Sequence, residues 1–147
     1  MLTFDVNMSG FDGALDSIKA KAEQAIRPAA QAGAQVYFDA VKNAAPVSGH
    51  AHWFTGTSYK SSGQKYWFES GSLKNAIYQV YSKSNSDKSK AEYHVAWNHR
   101  KAPYGFMVAY GTKRGAKGND FIGKAQKTVQ QQAIDAMTAK FKQVMEA

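Results

Sequence analysis

Hydrophobic and polar positions change their period along this chain, and the changes mark its elements. At residues 2–8, apolar Leu2, Phe4, Val6 and Met8 alternate with Thr3, Asp5 and Asn7. A period of two predicts a half-buried strand, ended by Ser9-Gly10. From Phe11 the spacing turns to three and four. Phe11, Leu15, Ile18, Ala22 and Ile26 form a stripe, with Asp16, Lys19, Lys21 and Glu23 off it. Pro28 should interrupt that stripe, since proline lacks the N–H and clashes with the preceding turn. The stripe nevertheless resumes in phase at Ala29, Gly33, Val36 (with Tyr37), Ala40 and Ala44. The pattern predicts one long helix over residues 11–44, kinked or briefly broken before Pro28. At 1.5 Å per residue it would be on the order of 50 Å long, so it either overhangs the domain or folds back at the proline. Asn43-Ala-Ala-Pro46 stops it, because the residue before a proline avoids helical geometry.

Residues 48–72 mix turn formers with aromatics. Trp53-Phe54 and Tyr66-Trp67-Phe68 flank Ser61-Ser62-Gly63, which suits an aromatic-rich insertion or hairpin. Its rings pack either on the protein's own core or on a partner. Residues 76–82 and 92–98 read as strands joined through the polar, lysine-rich 82–90 stretch, an antiparallel hairpin with an exposed tip. The most apolar run outside the helices, residues 102–112, is punctuated by Pro103 and Gly111 and reads as a bend that delivers basic residues to one end of the sheet. Gly115–Asp120 reads as a flexible loop whose Asn119 or Asp120 caps a last helix over residues 121–145. That helix carries the stripe Ile122, Ala125, Val129, Ala133, Met137, Phe141 and Val144. The expected fold is α+β: a small antiparallel sheet covered on one face by a long N-terminal helix and a long C-terminal helix.

Length and composition bound this picture. A chain of 147 residues, 44% hydrophobic and 20% charged, is a single globular domain spanning residues 1–147. With no cysteine, disulfides and thiolate metal sites are excluded. No signal peptide is visible, and no apolar run approaches the roughly 20 residues that span a bilayer. The expected site of synthesis is therefore a cytosol, and no membrane partner is expected. A net charge of +8 favours polyanionic partners, nucleic acid above all, or an acidic protein surface.

Candidate chemistry is sparse. His50-Ala-His52 places two imidazoles on one strand face, with His94, His99 or Glu69 as the third ligand of a metal site, but no HExxH or carboxylate cluster joins them. No Gly-x-Ser-x-Gly elbow, cysteine nucleophile or P-loop spacing occurs, so neither catalytic residues nor a cofactor are expected. Arg100, Lys101, Lys113, Arg114 and Lys117 surround Tyr104, Phe106 and Tyr110, and no acid lies between Glu92 and Asp120. Those five cations are candidates for facing DNA, because phosphate contacts need surface cations and base stacking needs exposed rings. A free nucleic-acid-binding protein using this cluster is one reading.

Two segments also resemble a family of tailed-bacteriophage proteins, the tail-completion or head–tail joining "tail component" proteins of the virion neck. The first is Asn43-Ala44-Ala45-Pro46-Val47-Ser48-Gly49, continued after the aromatic insertion by Ser70-Gly71-Ser72-Leu73-Lys74-Asn75-Ala76-Ile77. The second is Ala102-Pro103-Tyr104 with Val108-Ala109-Tyr110-Gly111-Thr112, followed by Phe121-Ile122 at the opening of the last helix. The order of elements matches over nearly the whole chain, while the literal motifs cover about twenty residues. The 50–69 insertion splits the first motif. Ala109 stands in place of the family's glutamate, and Asp120 in place of a frequent proline.

The resemblance implies a structural protein without catalytic residues, assembled into a closed ring, sixfold by expectation, around the channel through which genomic DNA passes. It implies other neck and tail proteins as partners, and a place at the virion neck or tail end after synthesis in the host cytoplasm. Ring subunits meet through heterologous surfaces. On that reading Trp53, Phe54, Tyr66, Trp67, Phe68, Tyr104, Phe106 and Tyr110 are the expected subunit interface, and the five cations line the lumen.

Overall fold

The computed structural model describes residue 3, residues 9–56 and residues 59–147. The strand expected at residues 2–8 lies outside the described residues, apart from residue 3. The first element is a 36-residue helix, α1 (Ser9–Ala44), that contains Pro28. It passes the proline without the break that the sequence allowed. The cost of a mid-helix proline, about 3 kcal/mol, is offset by burial on either side: Ala25 is fully buried and Ala29 nearly so.

The second long helix, α5 (Phe121–Glu146), runs antiparallel to α1. Gly33 of α1 faces Met137 of α5, while Lys21 near the start of α1 donates to the carbonyl oxygen of Ala147 (2.9 Å). The buried seam is made of small residues, Ala25, Ala29, Gly33 and Ala34 on α1 and Ala125 and Ala133 on α5. Small side chains let helix axes approach toward the lower end of the usual range of about 8–10 Å. Asp120 starts α5 by accepting a hydrogen bond from Gly123 N at Oδ1 (3.0 Å), which decides between the two caps, Asn119 and Asp120, that the sequence offers.

Between the helices lie four short strands. β1 (His52–Phe54) pairs antiparallel with β2 (Tyr66–Phe68), and β3 (Ile77–Tyr81) pairs antiparallel with β4 (Tyr93–Trp97). These are two separate two-stranded sheets among the described residues, rather than the one small sheet expected. The lysine-rich tip of the second hairpin carries a 3-10 turn at Lys83–Asn85. Three short helices complete the fold: α2 (Tyr59–Ser62), α3 (Ser72–Asn75) and α4 (Gly105–Tyr110).

The main core sits where the C-terminal end of α1, α3, β3, α4 and the start of α5 converge. Val41, Ala45, Leu73, Ala76, Ile77, Ala102, Ala109, Phe121 and Ala125 form it, with Trp97, Tyr104 and Val108 packed against it. The two segments that carry the sequence resemblance therefore meet in one place: Leu73, Ala76 and Ile77 from the first share one buried cluster with Ala102 and Ala109 from the second.

Candidate functional site

The apolar run at residues 102–112 is a helix rather than a bend alone. Pro103 and Tyr104 lead into α4, and Gly111 closes it at φ 83°, a left-handed conformation suited to glycine. Burial within it repeats every four residues, the period of one helix face. Gly105 and Ala109 are buried against the core, whereas Phe106 is 51% and Tyr110 73% exposed.

The glycine-rich stretch that follows is compact rather than an open flexible loop. Thr112 N donates to Ala116 O (3.0 Å), Gly115 N to Thr112 O (3.2 Å) and Asn119 N to Val108 O (2.7 Å). A Cβ on Gly111 would fall 2.5 Å from Ala116 O, and one on Gly118 would fall 2.6 Å from Tyr110 C. Only glycines allow this close backbone crossing. The crossing holds Lys113, Arg114 and Lys117 on a fixed, exposed loop at the end of α4.

Opposite α4 stands the β1–β2 hairpin. Strands of three residues hold together poorly by themselves, and this pair is anchored on Tyr104. Ring centroids of His52 and Phe68 lie 5.0 Å from that of Tyr104, and Phe54 lies at 5.9 Å. Partial burial raises the Tyr104 phenol pKa above the ordinary tyrosine value, opposed by hydrogen bonds with the Ser72 side chain and Leu73 backbone. On the other hairpin face, Trp53 and Trp67 are directly paired and meet edge to face at 5.1 Å. Trp53 is 61% exposed, and Trp67 Nε1 donates to Glu69 Oε1 (2.8 Å).

Period-two geometry thus divides the expected interface residues. Phe54, Phe68 and Tyr104 are half-buried and pack on one another inside the protein. Trp53 and Trp67 lie on the opposite hairpin face and are exposed; Tyr66 shares the face of its strand partner Phe54 but stands exposed at the end of β2, and Phe106 and Tyr110 are exposed on α4. The sequence left both fates open for these rings, and both occur.

A groove of about 780 Å³ runs between the two sides. Trp53, Phe54 and Tyr59 line one wall, and Pro103, Phe106 and Met107 the other. Three cations, Lys60, Lys113 and Arg114, rim it. The ion pairs among the described residues, Lys90–Glu92 and His94–Glu92, involve none of these three.

The five-cation cluster expected from the sequence is divided by α4. Arg100 and Lys101 lie before α4, where Asn98 Oδ1 accepts from both backbone N–H groups (2.9 and 3.3 Å). Lys113, Arg114 and Lys117 lie beyond its other end, and six helical residues span about 9 Å. Lys113 and Arg114 reach the groove; Arg100, Lys101 and Lys117 do not line it. Tyr59 and Lys60 were not singled out from the sequence. The adjacent Tyr59-Lys60 pair, a ring beside a cation inside an aromatic insertion, was the available signal.

The histidines are dispersed. His52 stacks edge-on against Tyr104, and His94 Nε2 contacts Glu92 Oε1 at 2.7 Å. No group of three or more metal-ligating side chains is found among the described residues, so His50 and His52 gain no third ligand there. No helix among the described residues is long and apolar enough to cross a membrane. The chain matches no family model, no curated protein and no solved structure.

Proposed function

We propose that the chain is a structural subunit of a tailed-phage virion, a tail-completion or head–tail joining protein that forms a homo-oligomeric ring around the DNA channel. The observation that carries this reading is the groove and its surroundings. A small α+β domain presents Trp53, Trp67, Phe106 and Tyr110 outward within one region, beside Lys60, Lys113 and Arg114. Clustered exposed rings mark a surface that meets another macromolecule. The resemblance of residues 43–49, 70–77 and 102–112 to neck proteins supplies the kind of assembly, and those segments build the core on which the groove stands.

Cations that form no ion pair among the described residues, Arg100, Lys101 and Lys117 among them, suit a lumen through which DNA passes without sequence recognition. A second reading, a free nucleic-acid-binding protein, draws on the same juxtaposition of exposed rings and cations at the groove. Reconstruction of the virion neck tests the first reading. A ring of copies of this chain, at the junction of head and tail, is expected there. Virions that assemble and purify without the chain would overturn it.

A further inference from the structure

Two remote parts of the fold are complementary in shape and charge. The first is the beginning of α1. The antiparallel helix α5 ends at Glu146, level with Lys21. Before that level, residues 13–20 of α1 are all exposed, about 12 Å of helix. Leu15 is 47% exposed and Ile18 54%. With Ala22 they lie at i, i+3 and i+7 along one face, the anchor spacing of an amphipathic helix laid in an apolar groove. Asp16 sits between the two anchors. Residues 1–20 hold Asp5, Asp12 and Asp16 against one cation, Lys19, a side-chain charge of −2 in a chain of net charge +8.

The second is the groove, with Trp53, Phe106 and Met107 in its walls and Lys60, Lys113 and Arg114 on its rim. At about 780 Å³ it lies in the upper part of the ~300–1,000 Å³ range of ligand clefts, so it takes several side chains. It cannot receive its own α1. The groove stands on Tyr104 and α4, which pack with Val41 at the far end of that helix. Leu15 is 26 residues from Val41 along an uninterrupted helix, about 39 Å.

We propose that the groove of one copy receives the first turns of α1 from the next copy. Leu15 and Ile18 enter between Trp53 and Phe106, and Asp16 faces Lys113 and Arg114. The donor and acceptor surfaces lie at opposite ends of the molecule, so the contact is head-to-tail and propagates from copy to copy, closing when the rotation permits. This inference deepens the ring reading and rests on it, naming the surfaces that join neighbours.

The absence of native cysteine allows a direct test. Two variants, Ile18→Cys and Phe106→Cys, each replace an exposed side chain. Mixed under mild oxidation, they should give a disulfide-linked heterodimer well in excess of either homodimer. Ile18→Cys mixed with Ser84→Cys at the distant hairpin tip should give none. Adding Asp16→Lys to the first chain should lower the yield severalfold, and adding Lys113→Glu with Arg114→Glu to the second should restore it. Equal yields from the Ser84→Cys control, or no heterodimer at any concentration, would overturn the contact. So would a single-stranded oligonucleotide that quenches Trp53 fluorescence and shields the Phe106→Cys thiol in the absence of cross-linking, because the groove would then belong to nucleic acid. The ring reading is judged separately, by the neck reconstruction.

Discussion

The Trp97 indole occupies the space that a side chain at residue 105 would need. A Cβ on Gly105 would fall 2.4 Å from Trp97 Nε1 and 2.7 Å from Cδ1 and Cε2. The indole is held in turn by Phe121, its ring centroid 6.0 Å away. This glycine is what lets α4 settle on β4 and α5, and α4 is one wall of the groove.

Gly105→Ala is therefore expected to destabilise the protein, although alanine is the better helix former by about 1 kcal/mol. A rigid indole cannot yield as a flexible side chain would, and overpacking of this kind costs about 1–3 kcal/mol. Denaturant unfolding should show a lowered midpoint with an unchanged slope. An unchanged or raised midpoint would mean that Trp97 moves aside freely.

The long helices, the β3–β4 hairpin and the Asp120 cap were legible in the sequence because each rests on a local signal. Such signals are a hydrophobic period, a turn cluster, or a side chain bonded three residues ahead. Helix α4 was not legible. Gly105, Met107 and Val108 sit in a six-residue stretch too short for a helical period to register, and Trp97, eight residues earlier, decides its packing. The groove was half legible. Lys113, Arg114, Trp53 and Phe106 stood out by composition, but only the fold brings residues 53–60 beside residues 103–114. The separation of Arg100-Lys101 from Lys113-Arg114 has the same origin, since a helix between them replaces the expected bend.

The first residue of α5 and the residue before it test two different contributions. Phe121 is 1% exposed and lies in the main core, so Phe121→Ala should cost about 3–5 kcal/mol. Asp120→Ala removes only the capping hydrogen bond to Gly123 N, a loss of about 0.5–2 kcal/mol. Equilibrium unfolding of both variants should preserve that order. A larger loss at Asp120 would require a role for its carboxylate beyond the cap.

Acid should weaken the β3–β4 hairpin through Glu92. Its carboxylate contacts His94 Nε2 (2.7 Å) and Lys90 Nζ (3.1 Å), which hold its pKa down at about 2 against an ordinary 4.5. A depressed folded-state value contributes stability that is present above pH 4.5 and lost as pH falls from 4.5 toward 2. Urea unfolding across that window should show the midpoint falling more steeply for the native chain than for Glu92→Gln. Parallel profiles would show that this exposed ion pair contributes nothing measurable.

Contact with DNA, in a channel or free, should be read from its salt dependence. Each phosphate contact adds about 0.9 to the slope of log affinity against log salt. Replacing Arg100, Lys101, Lys113, Arg114 and Lys117 by glutamine should therefore lower the slope for duplex binding by up to about 4.5. Retention that is unchanged in this variant would remove these residues from any DNA-facing surface.

The two faces of the β1–β2 hairpin should separate folding from assembly. Phe68 faces inward and touches His52, Phe54 and Tyr104, the contacts that dock three-residue strands onto α4. Phe68→Ala should cost about 1–3 kcal/mol, less than a fully buried phenylalanine, and loosen the groove wall with it. Trp53 faces outward, and its edge-to-face contact with Trp67 is worth about 0.5–1.5 kcal/mol. Trp53→Ser should therefore lower the unfolding midpoint less than Phe68→Ala does while weakening self-association in sedimentation velocity, because it removes one side of the groove's mouth. If Trp53→Ser unfolds the chain as readily as Phe68→Ala, the outer indole pair is part of the fold's own packing. Wild-type association without its help would then place the subunit contact on another face of the molecule.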